Sequence, residues 1–249
     1  MARAAIPGRL SWQLATLAAR TQETERAQSL AFDCPDWGGH LPGQHVDLRL
    51  TAEDGYQAQR SYSIAAPADG STVTITVERI LDGEVSPFLT DELQVGERLE
   101  LRGPIGGYFV WQPGDGGPLL LVAGGSGIVP LMAMLRARVT AGGDVPVRML
   151  ASARSDEERF YRDELDRAAA DPGIDVRWTL TRSQPAGWAG YRRRVDAEML
   201  RDVAWPAAER PRIFVCGPTG FVETVTSTLV SLGHDPQSVR AERFGPSGG

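Results

Sequence analysis

A glycine-rich turn is the segment of this sequence with the most evident chemical use. It runs from Gly124 to Pro130 (GGSGIVP), follows the apolar segment Leu119–Ala123 and precedes residues with helical periodicity. Glycines permit tight turns and close approach to a ligand, and the free N–H groups of a helix N-terminus bind phosphate. Such turns also occur for packing alone, and Pro130 suits a first helical turn in either case. The pyrophosphate-binding interpretation includes Gly124, Gly125, Gly127 and Pro130.

The end of the next apolar segment, Val147–Ser152, indicates which nucleotide such a loop would bind. A Rossmann loop is followed about 20 residues later by an acidic residue that binds a ribose diol. This chain instead has Ser152-Ala153-Arg154 at the end of that segment. Because a guanidinium group suits a 2′-phosphate better than a bare diol, the sequence favours NADP(H) over NAD(H).

Arginine is the sole side chain of this sequence with a permanent positive charge. All 26 basic residues are arginine, and both lysine and asparagine are missing. This composition excludes a lysine Schiff base, a Walker-type loop, a Cys-His-Asn triad and an N-glycosylation sequon. Codon bias explains most of the arginines, but any anion site must use guanidinium groups, backbone amides or helix termini.

Two further segments carry candidate residues that are weak when taken singly. Arg60-Ser61-Tyr62-Ser63 reads as part of a strand, in which Tyr62 alone would be a half-buried sheet residue. Cys216 alone would be a small buried core residue. Cys34 and Cys216 form no CxxC, and the three histidines have no ligand spacing, so we expect no metal or iron–sulfur site.

The composition is that of a globular protein that does not bind nucleic acid. The formal net charge is −6, with 32 acidic residues, so we expect neither a nucleic-acid nor an anionic-membrane partner. No apolar run approaches the roughly 20 residues of a membrane helix, so no integral membrane segment is expected. The N-terminus lacks the pattern of a signal peptide, and a cytoplasmic location is the expectation.

The first half of the chain, to about residue 112, alternates short apolar segments with turn dipeptides. We predict seven strands there and one helix, Ser86–Leu93, with Ser86 as its N-cap and Pro87 in its first turn. The predicted strands are Trp12–Ala19, Gln28–Phe32, His45–Leu50, Ser61–Ala65, Thr72–Ile80, Arg98–Leu101 and Tyr108–Trp111. This pattern predicts a sandwich or small barrel.

The second half alternates strands with helices after a glycine-rich connection at residues 112–118. This order predicts a doubly wound parallel sheet, with ligands at the carboxyl ends of its strands. The predicted strands are Leu119–Ala123, Val147–Ser152, Asp175–Thr181 and Arg212–Cys216. The predicted helices are Leu131–Val139, Glu158–Ala169, Asp196–Val203 and Phe221–Leu232. We expect two domains, residues 1–112 and residues 118–249.

Taken together, the motifs resemble the ferredoxin–NADP reductase superfamily. They occur in family order as R-x-Y-S, Gly83-Glu84-Val85-Ser86, a GPIGGYF segment at 103–109, the GGSGIVP loop, Cys216-Gly217-Pro218 and Glu242-Arg243-Phe244. The resemblance covers nearly the whole chain. It implies an antiparallel Greek-key β-barrel that binds flavin, followed by the α/β doubly wound domain that binds nicotinamide nucleotide.

The resemblance also implies roles at the flavin. Arg60 would pair with the flavin pyrophosphate, Tyr62 would stack on the isoalloxazine, and Ser63 would hydrogen-bond near N5. Phosphate would be cradled by Gly83, Val85 and Ser86, with flanking backbone contacts from Ile64 and Val77. Phe244 matches an aromatic position that covers the other flavin face, although five residues, Gly245–Gly249, follow it here.

At the nicotinamide nucleotide, the resemblance implies a second set of residues. Cys216 and Glu242 would lie beside the nicotinamide and act with Ser63 at the reacting atoms, with Gly217 and Pro218 in register. Arginines from three regions of the sequence would surround a 2′-phosphate. These are Arg154, which follows Ser152 closely, Arg182, which directly follows Thr181, and Arg194. Tyr161 and Arg162 are further candidates for contact with the adenine end.

The function implied is an FAD-dependent NAD(P)H oxidoreductase. Hydride would pass from NADPH, favoured over NADH, to flavin N5, and electrons would then leave singly for a separate ferredoxin, flavodoxin, haem or molybdenum protein. Two alternatives remain open at this point. One is a flavin reductase that uses diffusible flavin, and the other is a non-catalytic flavoprotein subunit for electron transfer.

Overall fold

The computed structural model describes residues 10–245 of the chain. The N-terminal half of this part is an antiparallel six-stranded sheet in the order β4-β3-β6-β1-β2-β5. Its strands are β1 (Gln13–Thr24), β2 (Ala27–Asp33), β3 (His45–Thr51), β4 (Gln57–Ser63), β5 (Thr72–Glu78) and β6 (Arg98–Ile105). An antiparallel bridge between Ile64 and Ile75 joins the two outer strands. β6 pairs with both β1 and β3, so the predicted Greek-key barrel is confirmed.

The C-terminal half is a parallel five-stranded sheet in the order β11-β10-β7-β8-β9. Its strands are β7 (Leu119–Gly124), β8 (Val147–Ala153), β9 (Ile174–Leu180), β10 (Arg212–Pro218) and β11 (Val239–Phe244). The helices are α1 (Val85–Pro87) in the barrel half, then α2 (Ile128–Ala141), α3 (Arg162–Ala168), α4 (Ala197–Val203) and α5 (Thr219–Ser231). A π-helical turn, Phe88–Glu92, continues α1. Short 3-10 turns span Pro113–Asp115, Gly125–Gly127, Ala207–Glu209 and Pro236–Ser238.

The two faces of the parallel sheet are covered by different helices, as a doubly wound fold requires. Alternate side chains of β7 enter opposite cores: Leu121 packs with α2 and α3, and Val122 packs with α4 and α5. Ala65 and Phe109 share the core on the α2 side, so this face adjoins the barrel. Within residues 10–245, no helix combines the length and the apolar character needed to cross a bilayer.

Several predicted elements are wrong in their bounds or type. Residues Tyr108–Trp111 are not a strand; Phe109 and Trp111 alternate inward because they pack into the core beneath α2, while the backbone has no strand partner. The helix predicted from Glu158 begins only at Arg162. β11 was not predicted, because a sheet-edge strand with two arginines and a glutamate lacks an apolar pattern.

The predicted cap of the first helix is also wrong. Glu84, not Ser86, occupies the N-cap position, and its side chain makes no capping hydrogen bond. Ser86 lies inside α1, where its hydroxyl oxygen accepts a hydrogen bond from the backbone N–H of Ile80 at 3.0 Å. The serine therefore closes the turn before the helix instead of capping the helix itself.

Candidate active site

A cleft of about 680 Å³ opens at the carboxyl ends of the parallel strands. It lies where the strand order reverses, since the chain runs from β7 to β8 and β9 on one side and then to β10 on the other. Ligands bind at such switch points in open α/β sheets. The predicted residues that line this cleft are Gly124, Gly125, Ser152, Arg154, Thr181, Arg194, Pro218 and Phe244. The barrel adds Thr24, Glu25, Arg26 and Glu78 to the opposite wall.

The glycine loop is shaped by close backbone contacts with the end of β10. A Cβ atom on Gly127 would lie 2.3 Å from the carbonyl oxygen of Cys216, a contact too short for any residue other than glycine. Gly124 and Gly217 are similarly restricted, because a Cβ on either would lie 2.9 or 2.8 Å from the Phe221 ring. Gly125 has φ of +57° and open space around it. Gly125 thus faces the cleft, while Gly127 and Pro130 are buried behind it and do not line it.

Three arginines gather at the rim formed by β8, β9 and the segment before α4. The backbone N–H of Arg182 donates to the carbonyl of Arg154 at 2.8 Å, which ties the two strand ends together. The Thr179 hydroxyl donates to the carbonyl of Arg193, which brings Arg194 to the same edge. Arg154 and Arg194 line the cleft, whereas Arg182 lies at the rim without lining it.

The free guanidinium groups of this rim suit an anionic ligand. Within residues 10–245, the guanidinium groups of Arg154, Arg182 and Arg194 are exposed and make no ion pair or side-chain hydrogen bond. Their neighbour Arg193 differs, because it is bound by Asp196 and by Glu198 at 2.9 Å. Glu157 and Glu158 also line the cleft and were not anticipated as part of it.

Cys216 and Glu242 are brought together by the pairing of β10 with β11, in which they are register partners. Cys216 is 2% exposed. Burial, with a smaller effect of the Glu242 carboxylate, raises the pKa of its thiol, so the sulfur is protonated at neutral pH. Burial also raises the pKa of Glu242 to about 7. This pair therefore offers a neutral thiol and a carboxyl group that exchanges its proton near neutrality.

The predicted flavin residues lie at one end of the barrel. Arg60, Tyr62 and Ser63 belong to β4, and Ile64 follows them in full burial. Burial raises the pKa of Tyr62 to about 12, so its phenol is neutral. The Val77 side chain points into the barrel core, which leaves only its backbone for a ligand.

Two distant motifs of the flavin site meet at Arg60. Its Nη2 lies 3.4 Å from Oε2 of Glu84, in the turn that contains Gly83 and precedes Val85 and Ser86. The hydroxyl of Tyr56 donates to the same carboxyl group at 3.0 Å. An exposed guanidinium beside a turn and the first N–H groups of a helix suits a pyrophosphate. The carboxylate of Glu84 at this position was not anticipated from the sequence.

Other predictions about the site are corrected or fall outside the described residues. Tyr161 is 3% exposed and hydrogen-bonds the barrel, so it is not available to an adenine. Arg162, the other candidate for the adenine end, is paired with Asp156 at 2.9 Å. Phe244 lines the cleft with 37% of its surface exposed. Residues 246–249 of the predicted tail lie outside the described part of the chain.

Comparison with known proteins decides the family. The profile of the oxidoreductase FAD-binding domain matches residues 15–110, and that of the oxidoreductase NAD-binding domain matches residues 121–227. A ferredoxin–NADP reductase B of Sorangium cellulosum is 35% identical over 226 residues, which cover 87% of this chain and 91% of that protein. This chain belongs to the ferredoxin–NADP reductase superfamily. The resemblance seen in its motifs is thus confirmed.

This chain has further relatives, and one of them is longer. A glycine betaine monooxygenase reductase subunit of Chromohalobacter salexigens is 34% identical, over 90% of this chain and 62% of its own length. The FAD/NAD-binding domain of a Vibrio cholerae nitric oxide dioxygenase shares the fold, with a TM-score of 0.84 at 24% identity, over 94% of this chain and 99% of that one. The findings support sites for FAD and for a nicotinamide nucleotide.

Proposed function

We propose that this reductase takes hydride from NADPH onto a bound FAD and passes the electrons singly to a separate redox protein. The observation that carries the proposal is the cleft at the switch point, which is lined by Gly124 and Gly125 of the glycine loop and by exposed guanidinium groups. The Cys216–Glu242 pair lies at the ends of the neighbouring strands β10 and β11. The chain spans about 62% of the length of the longer relatives, so the activity of the whole protein belongs to this proposal.

In the flavin half, which we assign to residues 1–112, the chain's task is to bind and orient. A flavin held by this half would supply the chemistry, namely hydride acceptance at N5 and release of electrons one at a time. Arg60 neutralises the flavin pyrophosphate, Tyr62 offers a neutral ring for stacking, and Ser63 hydrogen-bonds near N5. The flanking contacts come from Ile64, Val77, Gly83, Val85 and Ser86.

In the nucleotide half, which we assign to residues 118–249, the loop and the arginines bind the phosphates. Gly124, Gly125 and Gly127 shape the pyrophosphate site at the start of α2, with Pro130 in its first turn. The 2′-phosphate is held by guanidinium groups of Arg154, Arg182 and Arg194, with Ser152 and Thr181 beside them. Cys216, followed by Gly217 and Pro218, keeps water from the nicotinamide, and Glu242 holds a proton at its carboxyl oxygen.

The partner and location form part of the same proposal. Relatives that carry the name of a reductase subunit support a separate acceptor protein. A cytoplasmic location is supported by the composition, in which the two cysteines, Cys34 and Cys216, are both unpaired and buried. The class of acceptor, whether ferredoxin, flavodoxin, haem or molybdenum protein, would be identified by reconstitution with purified candidates.

Anaerobic mixing with NADPH and with NADH tests the proposal. The flavin absorbance of the holoenzyme should bleach with NADPH on a turnover timescale, and more slowly at equal concentrations of NADH. Arg154→Ala and Arg182→Ala should weaken NADPH binding selectively. Arg177→Ala is the matched control, since Arg177 is also on the β9 side but is paired with Asp175 at 2.7 Å. Absence of bleaching with both nucleotides would show a non-catalytic subunit, and equal loss of both affinities would refute the NADPH assignment.

A flavin reductase that uses diffusible flavin is the second candidate. The observation that favours it is the carboxylate of Glu84 beside Arg60, which competes with the flavin pyrophosphate for the guanidinium group. Stoichiometric retention of FAD through gel filtration would decide against this candidate, and complete loss of flavin in the same experiment would decide for it.

A further inference from the structure

Tyr161 and Arg136 connect the nucleotide half to the barrel at two places. We propose that they form a clasp (Tyr161 and Arg136 with their barrel partners Thr76 and Ala65) that sets the position of the nicotinamide cleft relative to the flavin strand. Both are positioning residues, because neither reaches the cleft or the predicted flavin contacts itself. This inference rests on the proposed function. It adds to that function the residues that keep the two binding sites in a fixed relative position.

Tyr161 is held in a backbone conformation that a tyrosine rarely adopts. Its φ is +52°, one of two positive values at non-glycine residues among the described part of the chain. Such a conformation is retained when the surrounding contacts stabilise it by more than its strain costs, and it occurs often at functional sites. Here it ends the bend after β8 and directs the phenol to the barrel before α3 begins at Arg162. The side chain is 3% exposed, so this direction is fixed by packing.

The phenol joins a chain of hydroxyl groups with a defined direction. The Tyr161 hydroxyl donates to Oγ1 of Thr76 at 2.5 Å. Thr76 lies 2.8 Å from the Ser29 hydroxyl, which donates to the Glu23 carboxylate at 2.5 Å. Because the one proton of Ser29 is used at Glu23, Thr76 must donate to Ser29, and its oxygen is free to accept from Tyr161. The chain thus connects β5, β2 and β1 to the nucleotide half.

Arg136 provides the second connection from the opposite side of the tyrosine ring. Its Nη1 donates to the carbonyl of Ala65 at 2.8 Å, and its Nε and Nη2 bind both carboxylate oxygens of Glu164 at 2.8 and 2.6 Å. The guanidinium carbon lies 4.8 Å from the centre of the Tyr161 ring. The bidentate contact with Glu164 and the stacking on the Tyr161 ring fix the guanidinium group in one orientation.

The clasp is attached next to residues of both predicted sites. On the barrel, Ala65 is two residues after Ser63, and Thr76 precedes Val77. On the other half, Phe160 lines the nucleotide cleft beside Tyr161. Arg136 lies eight residues after the start of α2, about 12 Å along the helix that follows the glycine loop. A displacement at the clasp would therefore move one site relative to the other.

Directional bonds matter here because the interface is open next to the clasp, although Ala65 and the Tyr161 ring belong to the apolar core around α2. A second cleft of about 730 Å³ separates the barrel from α3 and is bordered by Glu23, Asp156, Arg162 and Arg167 among others. Since hydride transfer is sensitive to misplacement of about 1 Å, small rotations of the halves should slow it strongly.

The test compares Tyr161→Phe and Thr76→Val with Thr74→Val. Thr74 is the matched control, because it lies on the same outward face of β5 and its side chain makes no hydrogen bond within residues 10–245. In the holoenzyme with saturating NADPH, we expect each clasp variant to lower the rate of flavin reduction about tenfold and to weaken the long-wavelength charge-transfer band of the stacked rings. The dissociation constants of FAD and NADPH should change less than twofold.

Two further readouts separate positioning from general structural damage. In the apoprotein, hydrogen exchange should accelerate around residues 64–66 and 161–165 for the clasp variants and not for Thr74→Val. The double variant should be no slower than Thr76→Val alone, because Thr76→Val already removes the hydrogen bond that Tyr161→Phe removes. If Tyr161→Phe does not fold, Thr76→Val carries the comparison alone.

The outcomes distinguish the inference from the function on which it rests. Unbleached flavin in the unmodified reductase would refute the proposed function. Normal bleaching there, together with wild-type rates and charge-transfer bands in Tyr161→Phe and Thr76→Val, would refute the clasp and leave the function intact. Equal slowing in Thr74→Val would also refute it, since that variant leaves the hydrogen bond in place.

Discussion

The carbonyl oxygen of Cys216 lies 2.3 Å from the point at which a side chain on Gly127 would place its Cβ atom. The glycine loop and the end of β10 are thus in backbone contact, at the edge of the sheet where the cleft opens. It brings a glycine of the first motif next to a cysteine that lies almost 90 residues later in the sequence.

Gly127→Ala should therefore damage both stability and nucleotide binding. The methyl group forces the loop away from β10, and overpacking of this kind costs about 1–3 kcal/mol in the free energy of unfolding. Urea denaturation and an NADPH titration of the holoenzyme measure the two effects. Gly143→Ala is the control, because a Cβ there meets nothing within 4 Å. Unchanged stability in Gly127→Ala would show that the loop can move without cost.

Glu84→Gln should strengthen the binding of FAD to the apoprotein. The substitution keeps the size of the side chain and removes a negative charge that lies 3.4 Å from Arg60. For an exposed pair the expected gain is about 0.5–1 kcal/mol, or a two- to fivefold lower dissociation constant. Fluorescence titration at low and high salt measures it, and the gain should shrink as salt rises. Glu53→Gln, at an exposed position in the β3–β4 turn, should have no such effect.

Arg60→Ala should lower FAD affinity more strongly than any change of Glu84. It removes the charge-assisted hydrogen bond proposed for the flavin pyrophosphate, which typically contributes about 1.5–3 kcal/mol, or roughly 10- to 100-fold. The flavin content after gel filtration and the dissociation constant for FAD report the loss. Arg98→Ala removes the same charge at an exposed position of β6 and should retain flavin. Equal retention by both variants would place the pyrophosphate elsewhere.

Glu242 should make stability decrease as pH rises through the acidic range. Its pKa in the folded protein is raised to about 7, above that of an unfolded glutamate, about 4.3. Between these values the folded state holds a proton that the unfolded chain has released, so the free energy of unfolding falls with increasing pH and levels off above about pH 7.

Glu242→Gln should remove that dependence and stabilise the protein above neutrality. One pKa unit corresponds to about 1.4 kcal/mol, and partial exposure reduces the full effect, so we expect a gain of about 1–2 kcal/mol at pH 8. Urea denaturation between pH 5 and pH 8 measures it, with the exposed Glu209→Gln as control. Parallel curves for Glu242→Gln and the unmodified protein would contradict the raised pKa.

The sequence by itself determined the class of fold and the identity of the main motifs. The change from period-two alternation to strand–helix alternation predicts a barrel followed by a doubly wound sheet, because each element must bury one face. The order of R-x-Y-S, GEVS, GGSGIVP, CGP and ERF indicated the family. Local patterns carry this information because strand and helix periodicity depend on neighbouring residues.

Only the tertiary structure decided which side chains meet. Thr76 occupies an outward position on β5 that the alternation pattern assigns to solvent, yet Tyr161 buries it. Glu84 beside Arg60, and Cys216 beside Glu242, come from segments far apart in the chain. Tyr161 itself reads as part of a helix, and its positive φ results from contacts with the barrel and α2. Such pairs depend on how the two halves pack, and packing between distant segments leaves no periodic signal in the sequence.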